Sequence, residues 1–266
     1  MAETHLREFS LPAESPLLRK PRAVVVGASS GIGAAMTRKL AAEGYVVAAL
    51  ARSKEKLADL CGQINAELGE TRAIPYAHDV TDVQDIPALF QKLLKDLGGI
   101  DGLVYCAGVN QRVILDEFNL EKDRQMLETN LMGGVSWLGQ GAALFGRMGA
   151  GKLVGISSVA GDRGRVLNPG YNSSKAGLDA YLEGVRNRLT RHGVHVLTVK
   201  PGFVRTDMLK ASPSAHPGAI TPEQCANGIW TAMRSEKQLV YIPWYWRWIM
   251  LAVRLMPSFI FRRLTF

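Results

Sequence analysis

Short apolar runs alternate with longer amphipathic segments along most of the chain. Seven runs have the length and the β-branched content of strands: Arg22–Val26, Tyr45–Leu50, Arg72–Tyr76, Gly102–Tyr105, Lys152–Ile156, Val194–Val199 and Gln238–Ile242. The segments between them have helical length: Gly31–Glu43, Lys54–Leu68, Val83–Leu97, Asp123–Phe145, Tyr171–His192 and Pro222–Met233. Strands that alternate with helices predict βαβ units and a parallel sheet.

The predicted strands are apolar at every position instead of every second one. The runs Ala23–Val26 and Val47–Leu50 contain no polar side chain, which indicates strands buried on both faces. No linker rich in Pro, Gly or Ser divides residues 22–242. We therefore predict an α/β fold, a single doubly wound (Rossmann) domain with a seven-stranded parallel sheet. The one long irregular stretch, Phe203–Ile220, is predicted to form a mobile lid or binding loop.

The two ends of the chain differ from this domain. Residues 1–21 mix acidic and basic side chains and are predicted to form a polar arm, not a secretion signal. Residues 243–266, the C-terminal tail, are rich in Trp, Leu and Phe and carry four arginines and no acid. The tail therefore contributes half of the net charge of +8.

The tail predicts a short apolar and basic helix. Its longest stretch without a charge, Leu255–Phe261, is far shorter than the roughly 18 residues that a membrane-spanning helix needs. Its arginines are too sparse, and its large apolar side chains too many, for a nucleic-acid patch. Two interpretations stay open: the helix lies at a membrane surface, or it packs on the domain or on a partner subunit.

Composition narrows the remaining function classes. The chain has 266 residues, 47% of them apolar, which is enough for a sizeable core. Its three cysteines lie far apart and form no CxxC pair, which excludes a disulfide framework and a zinc ribbon. No metal site is predicted, because His192 and His195 have no third ligand nearby in the sequence. These features favour a cytoplasmic protein, with the tail as a means of peripheral attachment to the cytoplasmic face of a membrane.

A glycine-rich turn follows the first predicted strand and leads directly into a helix. Its glycines are spaced as Gly-x3-Gly-x-Gly in the run Gly27-Ala28-Ser29-Ser30-Gly31-Ile32-Gly33. Glycines allow the tight turn and a close approach of the backbone to a pyrophosphate, which the helix N-terminus attracts. In this context the run predicts a dinucleotide site rather than a plain tight turn, with Ser29, Ser30 and Ile32 among its contacts.

The second predicted strand indicates which dinucleotide is bound. Sites for NAD usually place an acid at the end of this strand to hold the ribose hydroxyls, whereas this chain has Arg52 and Ser53 there. A guanidinium pairs well with the 2′-phosphate of NADP. The residues therefore favour NADP(H), against the alternative that Arg52 is an ordinary solvated side chain.

One tyrosine has a lysine four positions further along the chain. Of the seven tyrosines only Tyr171 has this neighbour, Lys175, and helical spacing places both side chains on one face. An ammonium group favours the phenolate form of a nearby tyrosine, whose pKa is otherwise about 10. The pair therefore predicts a tyrosine that exchanges a proton near neutral pH.

Together with the glycine-rich turn, this pair resembles the short-chain dehydrogenase/reductase family over residues 22–242. The resemblance implies that Tyr171 donates a proton to the substrate and that Ser158 holds the substrate oxygen. It also implies that Lys175 lowers the pKa of the tyrosine and binds the nicotinamide ribose. Asn130 matches the fourth member of the family's catalytic set, which organises a water-linked proton path to the lysine.

The same resemblance assigns further cofactor contacts after the third, fourth and sixth strands. These are Asp79, Val80, Ala107, Gly108, Pro201, Gly202, Val204 and Thr206. The chain departs from the family after the fourth strand, where Tyr105 and Cys106 replace the usual two asparagines. The departure removes the amide side chains but keeps the small residues that let a cofactor approach.

The resemblance implies hydride transfer from NADPH to a ketone, and a homodimer or homotetramer paired through Asp123–Phe145 and Tyr171–His192. The sequence around Lys175 and the end of the tail are also similar to bacterial reductases of polyprenyl-phosphoryl 2-keto-pentose. The tail resembles those of 3-ketosphinganine reductases and hydroxysteroid dehydrogenases. We therefore expect a reductase of a ketone on a lipid or lipid-linked substrate. The alternatives are a soluble 3-oxoacyl or xenobiotic carbonyl reductase, and a non-enzymatic cofactor-binding scaffold or partner subunit; no nucleic-acid partner is expected.

Overall fold

A parallel sheet forms the centre of the computed structural model, which describes residues 20–210, 216 and 218–264. Its strands are β1 (Arg22–Val26), β2 (Val46–Ala51), β3 (Ala73–Ala77), β4 (Gly102–Tyr105), β5 (Gly151–Ile156), β6 (Val194–Pro201) and β7 (Leu239–Ile242). They follow the order β3-β2-β1-β4-β5-β6-β7, and every neighbouring pair is parallel. The strand order reverses between β1 and β4, which confirms the doubly wound, seven-stranded fold predicted from the sequence.

Helices follow each strand and cover both faces of the sheet. They are α1 (Gly31–Ala42), α2 (Lys54–Leu68), α3 (Ile86–Leu97), α4 (Leu120–Leu127), α5 (Gly133–Met148), α6 (Pro169–Leu189), α7 (Asp207–Lys210), α8 (Pro222–Arg234), α9 (Trp246–Leu255) and α10 (Ser258–Phe261). A π-helical turn and two 3-10 turns lie at Glu128–Met132, Val159–Gly161 and Thr190–His192. The polar arm predicted over residues 1–21 lies outside the described residues except for its last two positions.

The sheet separates two hydrophobic clusters. Consecutive residues of β1 contribute to opposite clusters, since Val25 packs with Met36 of α1 whereas Val24 packs with Phe90 of α3. All four side chains are almost wholly buried, as is Phe90's neighbour Trp137. Burial on both faces explains why the strands are apolar throughout.

One predicted helix, Asp123–Phe145, is divided in the structure into α4, the π-helical turn and α5. Inside that turn, the hydroxyl of Tyr105 donates a hydrogen bond to the carbonyl of Thr129. A side chain that engages a carbonyl of the helical ladder widens the helix locally. The prediction of an unbroken helix was wrong because the hydrogen bond that interrupts the helix comes from Tyr105, on a strand that is distant in the sequence.

The other boundaries differ from the predictions by a few residues. Helix α3 begins at Ile86 instead of Val83, because Val83 and Asp85 close short turns with their backbone N–H groups. Strand β6 continues to Pro201, where it still pairs with Ile242 of β7. The longer β6 takes in Pro201, which the sequence had placed in the segment after this strand.

The loop predicted over Phe203–Ile220 is tied together at its base. Val204 forms a bridge with Ile220, and the Arg205 side chain donates a hydrogen bond to the carbonyl of Ala219 at 2.9 Å. The loop is also not irregular throughout, since it contains the short helix α7. Residues 211–215 and 217, and with them much of the predicted lid, lie outside the described residues.

The tail forms two helices, α9 and α10, where the sequence predicted one. They are separated at Pro257, which cannot continue a helix. One face of α9 is buried or half-buried, through Trp246, Met250 and Val253. The opposite face is exposed, through Trp248, Leu251 and Leu255. Within the described residues, none of the helices has both the length and the apolar character needed to cross a bilayer.

Candidate active site

Most of the predicted site residues lie at the carboxyl edge of the sheet. In a parallel sheet all strands end at the same edge, and a cleft opens there where the strand order reverses. Here that point lies between β1 and β4. The segments that follow β1, β2, β3, β4 and β6 carry every predicted cofactor contact apart from Pro201, at the end of β6, and Tyr171 and Lys175, in α6.

Ser158 and Tyr171 are placed by two helix starts. Ser158 caps the 3-10 turn after β5, and its Oγ accepts a hydrogen bond from the N–H of Ala160 at 3.1 Å. Tyr171 lies in the first turn of α6, which begins at Pro169. The Ser158 hydroxyl lies close enough to the phenol of Tyr171 to lower its pKa.

The phenol of Tyr171 is protonated at neutral pH in this arrangement. Burial raises its pKa above the ordinary value, and the Ser158 hydroxyl and the positive charge of Arg165 offset only part of that rise. A protonated phenol in contact with a serine hydroxyl is suited to donate a proton to an oxygen.

Lys175 lies near Tyr171 but does not bond to its hydroxyl. Its Nζ donates a hydrogen bond to the carbonyl of Ile156 at 3.0 Å and lies 5.8 Å from the centroid of the Tyr171 ring. Burial lowers the pKa of Lys175 to about 8, against the opposing effects of Asp179 and Cys106. That Lys175 lowers the pKa of the tyrosine stays a prediction; the positive charge of Arg165, which the sequence did not point to, also lowers it.

Asn130 is buried inside the π-helical turn, and its side-chain amide is fully used by the protein. Its Nδ2 donates to the carbonyl of Val109 and to Oγ of Ser174, both at 2.9 Å, and its Oδ1 accepts from the N–H of Val109 at 2.7 Å. A Cβ added to Gly108 would lie 3.3 Å from Oδ1 of Asn130 and 3.5 Å from Nζ of Lys175. The predicted residues Gly108, Asn130 and Lys175 are therefore neighbours.

Tyr105 and Cys106 stand where the family has two asparagines. The Tyr105 ring is fully buried, and Gly133 and Gly134 make room for it, since a Cβ on Gly133 would lie 2.6 Å from the tyrosine oxygen. Through its bond to Thr129 the phenol connects β4 to the π-helical turn. Burial raises the pKa of the Cys106 thiol, so this cysteine is no thiolate nucleophile.

The glycine-rich turn has the shape that a pyrophosphate requires. A Cβ on Gly27 would overlap the backbone of Ala107, and one on Gly33 would overlap the carbonyl of Gly27. Gly31 has a φ of 53°, and a Cβ there would lie 2.9 Å from Cγ2 of Thr206. Ser30 precedes α1 without capping it by its side chain, so the first-turn N–H groups of this helix face the cleft uncapped. Backbone space and free donors fit a bound phosphate group.

Arg52 is the charged group at the end of β2. Its side chain is 70% exposed, and its Nη1 lies 3.7 Å from Oδ2 of Asp79, at the end of β3. Burial favours the neutral form of Asp79, but hydrogen bonds from Thr81 and the charge of Arg52 outweigh it and lower the pKa of the carboxyl. Ser53 and Val80 flank these two residues, and Val80 is buried. The predicted adenine and 2′-phosphate contacts therefore lie together.

The segment after β6 connects the cleft to the tail. Gly202 faces the indole of Trp246 so closely that a Cβ would overlap the ring, and Phe203 meets the same indole edge to face at 5.4 Å between centroids. Thr206 packs against Gly31, as described, and Val204 is buried. The tail helix α9 thus lies directly beside a segment predicted to contact the nicotinamide.

A buried ion cluster, which sequence reasoning missed, supports the loop of Ser158. Nζ of Lys200 lies 2.5 Å from Oδ1 of Asp162 and 2.9 Å from Oδ2 of Asp179, and the Tyr241 hydroxyl donates to Asp162 at 3.0 Å. Lys200 stands just before Pro201, Asp179 is four residues after Lys175, and Asp162 follows the 3-10 turn of the loop. The available signal was a lysine at the end of a largely apolar strand.

Two arginines of the same loop were also missed. Arg163 donates to the carbonyls of Val253 and Met256, the second at 2.6 Å, and its guanidinium lies 3.9 Å from the centroid of Phe261. It therefore attaches the loop to the tail. Arg165, two residues further, acts on the pKa of Tyr171 instead. The run Asp162-Arg163-Gly164-Arg165 is conspicuously charged, but the sequence does not say where each side chain points.

Comparisons with known proteins identify the family. A model of the short chain dehydrogenase family matches residues 21–217. An uncharacterized oxidoreductase of Mycobacterium tuberculosis is 34% identical over 245 residues, which cover 91% of this chain and 96% of that protein. A 3-oxoacyl-[acyl-carrier-protein] reductase of the mouse, Mus musculus, is 31% identical over 192 residues, which cover 72% and 79% of the two chains.

Solved structures agree on the fold. A short-chain dehydrogenase from Sphingobium yanoikuyae in complex with NADPH superposes with a TM-score of 0.78 at 24% identity. The match covers 88% of this chain and 92% of the other. The family model spans most of the chain and includes the glycine-rich turn, Ser158, Tyr171 and Lys175. The chain therefore belongs to the short-chain dehydrogenase family.

Proposed function

We propose that the protein is an NADPH-dependent reductase of a ketone on a lipid or lipid-linked molecule. The reaction class is supported by the family and by the grouping of Ser158, Tyr171 and Lys175 at one edge of the sheet. The choice of NADP(H) is supported by Arg52, which stands where an NAD site has an acid, and by the NADPH bound to the Sphingobium relative.

In this proposal bound NADPH supplies the hydride that reduces the ketone carbon. Tyr171, protonated because burial raises its pKa, donates its proton to the ketone oxygen, and Ser158 donates a hydrogen bond to the same oxygen. Lys175 binds the ribose of the cofactor through its ammonium group. Asn130 holds the backbone of Val109, and with it Gly108, beside this ammonium group.

The lipid part of the proposal depends on the position of the exposed face of α9. This exposed stripe consists of Trp244, just before α9, and of Trp248, Leu251 and Leu255 on the helix. These side chains are 72%, 58%, 45% and 74% exposed. The same helix packs through Trp246 against Gly202, next to the cleft. A bilayer that binds the stripe would therefore lie close to the reacting groups, where it can present a lipid substrate.

The charge of the tail suits an anionic membrane. Arg247 and Arg254 are seven residues apart and therefore lie on one flank of α9, and both are exposed. Arg262 and Arg263 follow α10, and residues 243–266 contain no acid. Cations and aromatic rings around an apolar stripe are typical of helices that bind in the interface of a membrane. Each apolar side chain that becomes buried contributes roughly 1.5–3 kcal/mol.

The test combines a stripe variant with a matched control. The stripe variant is Trp248→Ser/Leu251→Ser/Leu255→Ser. It removes three apolar side chains of the exposed stripe and leaves the buried face of α9 unchanged. The control Leu68→Ser/Met148→Ser removes exposed apolar groups at the ends of α2 and α5, on the opposite edge of the sheet. Both are compared with wild type for binding to anionic liposomes and for NADPH oxidation with one ketone, free in solution or on a lipid in the liposomes.

We expect wild type and control to bind the liposomes and to reduce the lipid-borne ketone. The stripe variant should bind at least tenfold more weakly and lose turnover of the lipid-borne ketone, while keeping turnover of the soluble one. Equal turnover of the lipid-borne ketone by all three proteins would refute the membrane part of the proposal.

A soluble 3-oxoacyl reductase is the second candidate, because the mouse relative carries that name. Preference of wild type for a soluble 3-oxoacyl thioester over the lipid-borne ketone would favour it.

Pairing of two copies through α5 and α6 also stays a prediction, which light scattering tests. The division into an arm (residues 1–21), a catalytic domain (22–242) and a tail (243–266) is likewise a prediction.

A further inference from the structure

Arg165 is the least satisfied cation near the candidate active site. Its guanidinium makes no hydrogen bond and no ion pair with any residue that the structure describes, although the side chain is half-buried. Burial lowers the pKa of Arg165. The positive charge of Arg165 in turn lowers the pKa of the Tyr171 phenol. Because this burial is only partial, the guanidinium stays accessible to solvent and therefore to a dissolved anion.

The other cations of this region are all satisfied. Lys200 has two carboxylates, Arg163 has two carbonyls and an aromatic ring, and Lys175 has the carbonyl of Ile156. The carboxylates of Asp162 and Asp179 both pair with Lys200. Arg165 is therefore left with its donors available beside the reacting tyrosine.

The backbone of Arg165 is held in place. Asn172, the residue after Tyr171, donates to the carbonyl of Arg165 at 3.3 Å. Three residues further along the loop, Asn168 donates to the carbonyl of Gln111 at 3.1 Å, which ties the loop to the segment after β4. The guanidinium is thus carried by a segment fixed at both sides of the cleft rather than by a free surface loop.

The phosphates of the cofactor are expected elsewhere. Arg52 follows β2 and the glycine-rich turn follows β1, whereas Arg165 belongs to the segment after β5. Strands β1 and β4 lie between β2 and β5, so three strand spacings separate them, roughly 14 Å at about 4.8 Å each. An anion at Arg165 is therefore not the 2′-phosphate of NADP(H).

We propose that Arg165 is a specificity-determining residue that binds an anionic oxygen group, a phosphate or a carboxylate, carried by the ketone substrate. The planar fork of a guanidinium matches two oxygens of either group. The inference rests on the proposed reduction of a ketone at Tyr171, but not on the membrane part of that proposal. It narrows the substrate class to ketones with a negative charge near the reacting carbonyl.

The test uses three soluble ketones of equal length that end in a phosphate, a carboxylate or a neutral amide. Turnover is measured as kcat/KM by NADPH oxidation for wild type, Arg165→Gln, Arg165→Lys and the control Arg163→Gln. We expect wild type to prefer the two charged ketones. Arg165→Gln should lose at least tenfold on these, mainly through KM, and less than threefold on the amide. Arg165→Lys should retain part of the preference, and Arg163→Gln all of it.

Two turnover results would overturn the inference. If Arg165→Gln lowers kcat/KM equally for all three ketones, Arg165 acts only on the phenol of Tyr171. If Arg163→Gln abolishes the preference as fully as Arg165→Gln does, the loop and not the guanidinium determines it.

Calorimetry separates this inference from the proposed reaction. The ketone phosphate and inorganic phosphate are titrated into each protein saturated with NADP+. Tighter binding of the ketone phosphate to wild type, weakened at least tenfold in Arg165→Gln, supports the inference even when no ketone is reduced. Binding of inorganic phosphate alone would identify a free-anion site, and equal binding by the two proteins would leave Arg165 without this role. Both results contradict the inference.

Discussion

The two halves of the sheet build their parts of the site by different means. In the amino-terminal half, residues 22–108, the geometry comes from the backbone: Gly27 lets β4 approach β1, and Gly33 accommodates the carbonyl of Gly27. In the carboxyl-terminal half, residues 151–264, it comes from side chains: Ser158 meets Tyr171, and Lys200 joins three segments through Asp162 and Asp179.

The difference shows how each half can vary. A site made of backbone amides and glycines recognises a pyrophosphate in much the same way whatever the reaction. A site made of side chains on loops and on a tail can be adapted to one substrate. The identity of the substrate is therefore to be sought around Arg165 and α9, not around the glycine-rich turn.

The largest expected effect separates chemistry from cofactor binding. Tyr171→Phe removes the proton donor, and loss of a general acid costs about 10²- to 10⁴-fold in kcat. The dissociation constant of NADPH, measured by fluorescence titration, should change less than threefold, because the glycine-rich turn is untouched. Tyr181→Phe on the same helix, whose hydroxyl donates to Val135 at 3.2 Å, is the control and should keep its kcat. Full activity of Tyr171→Phe would revive the idea of a cofactor-binding scaffold.

The next effect tests whether the buried ion cluster supports the carboxyl-terminal half. Lys200→Met leaves Asp162 and Asp179 without their cation, and breaking a buried pair costs about 3–5 kcal/mol in free energy of unfolding. Lys152→Met on neighbouring β5 is the control, because that lysine donates to the carbonyl of Met233 and not to a carboxylate. We expect it to lose about 1 kcal/mol, the usual value of one hydrogen bond. Urea unfolding measures both.

The cluster also predicts a pH dependence. Burial raises the pKa of Asp179 although Lys200 opposes that rise, so the ionised carboxylate works against folding as the pH climbs through its raised pKa. Without Lys200 nothing offsets the burial of the ionised Asp179 carboxylate to the same extent, so the free-energy cost of keeping it buried increases. The deficit of Lys200→Met should therefore be largest at neutral pH and shrink toward acidic pH, where the carboxyl is protonated in both proteins. A deficit that does not change with pH would mean that Lys200 contributes packing instead of charge.

The sequence predicts the parts of this molecule that depend on local patterns, and it misses those that depend on contacts between distant residues. The strands, the glycine-rich turn and the pair of Tyr171 and Lys175 are local patterns, and the structure has them on the predicted elements. The π-helical turn depends on a bond between Tyr105 and Thr129, which are far apart in the chain. The local hydrophobic periodicity of a sequence does not predict contacts between distant residues.

The tail shows the same limit. Its composition predicted an apolar and basic helix, but left packing and membrane contact as alternatives. The structure has one packed face, at Trp246, and one exposed face, at Trp248. Contacts such as that of Gly202 with Trp246 determine which face is packed, and this one joins the residue after β6 to a segment more than forty residues later.

The smallest effect concerns the one part of the amino-terminal half that relies on a charged side chain. Arg52→Ala should raise the KM for NADPH about 10- to 100-fold, the value of one or two charge-assisted hydrogen bonds to a phosphate, and leave the KM for NADH within threefold. Arg38→Ala is the control, since Arg38 pairs with Glu67 on the surface of α1 and α2. If Arg52→Ala weakens both cofactors equally, Arg52 acts by holding Asp79, which lies 3.7 Å away, and the half is built by backbone and structural contacts alone. If only NADPH is affected, Arg52 gives this backbone-built half the cofactor selectivity that its glycines do not provide.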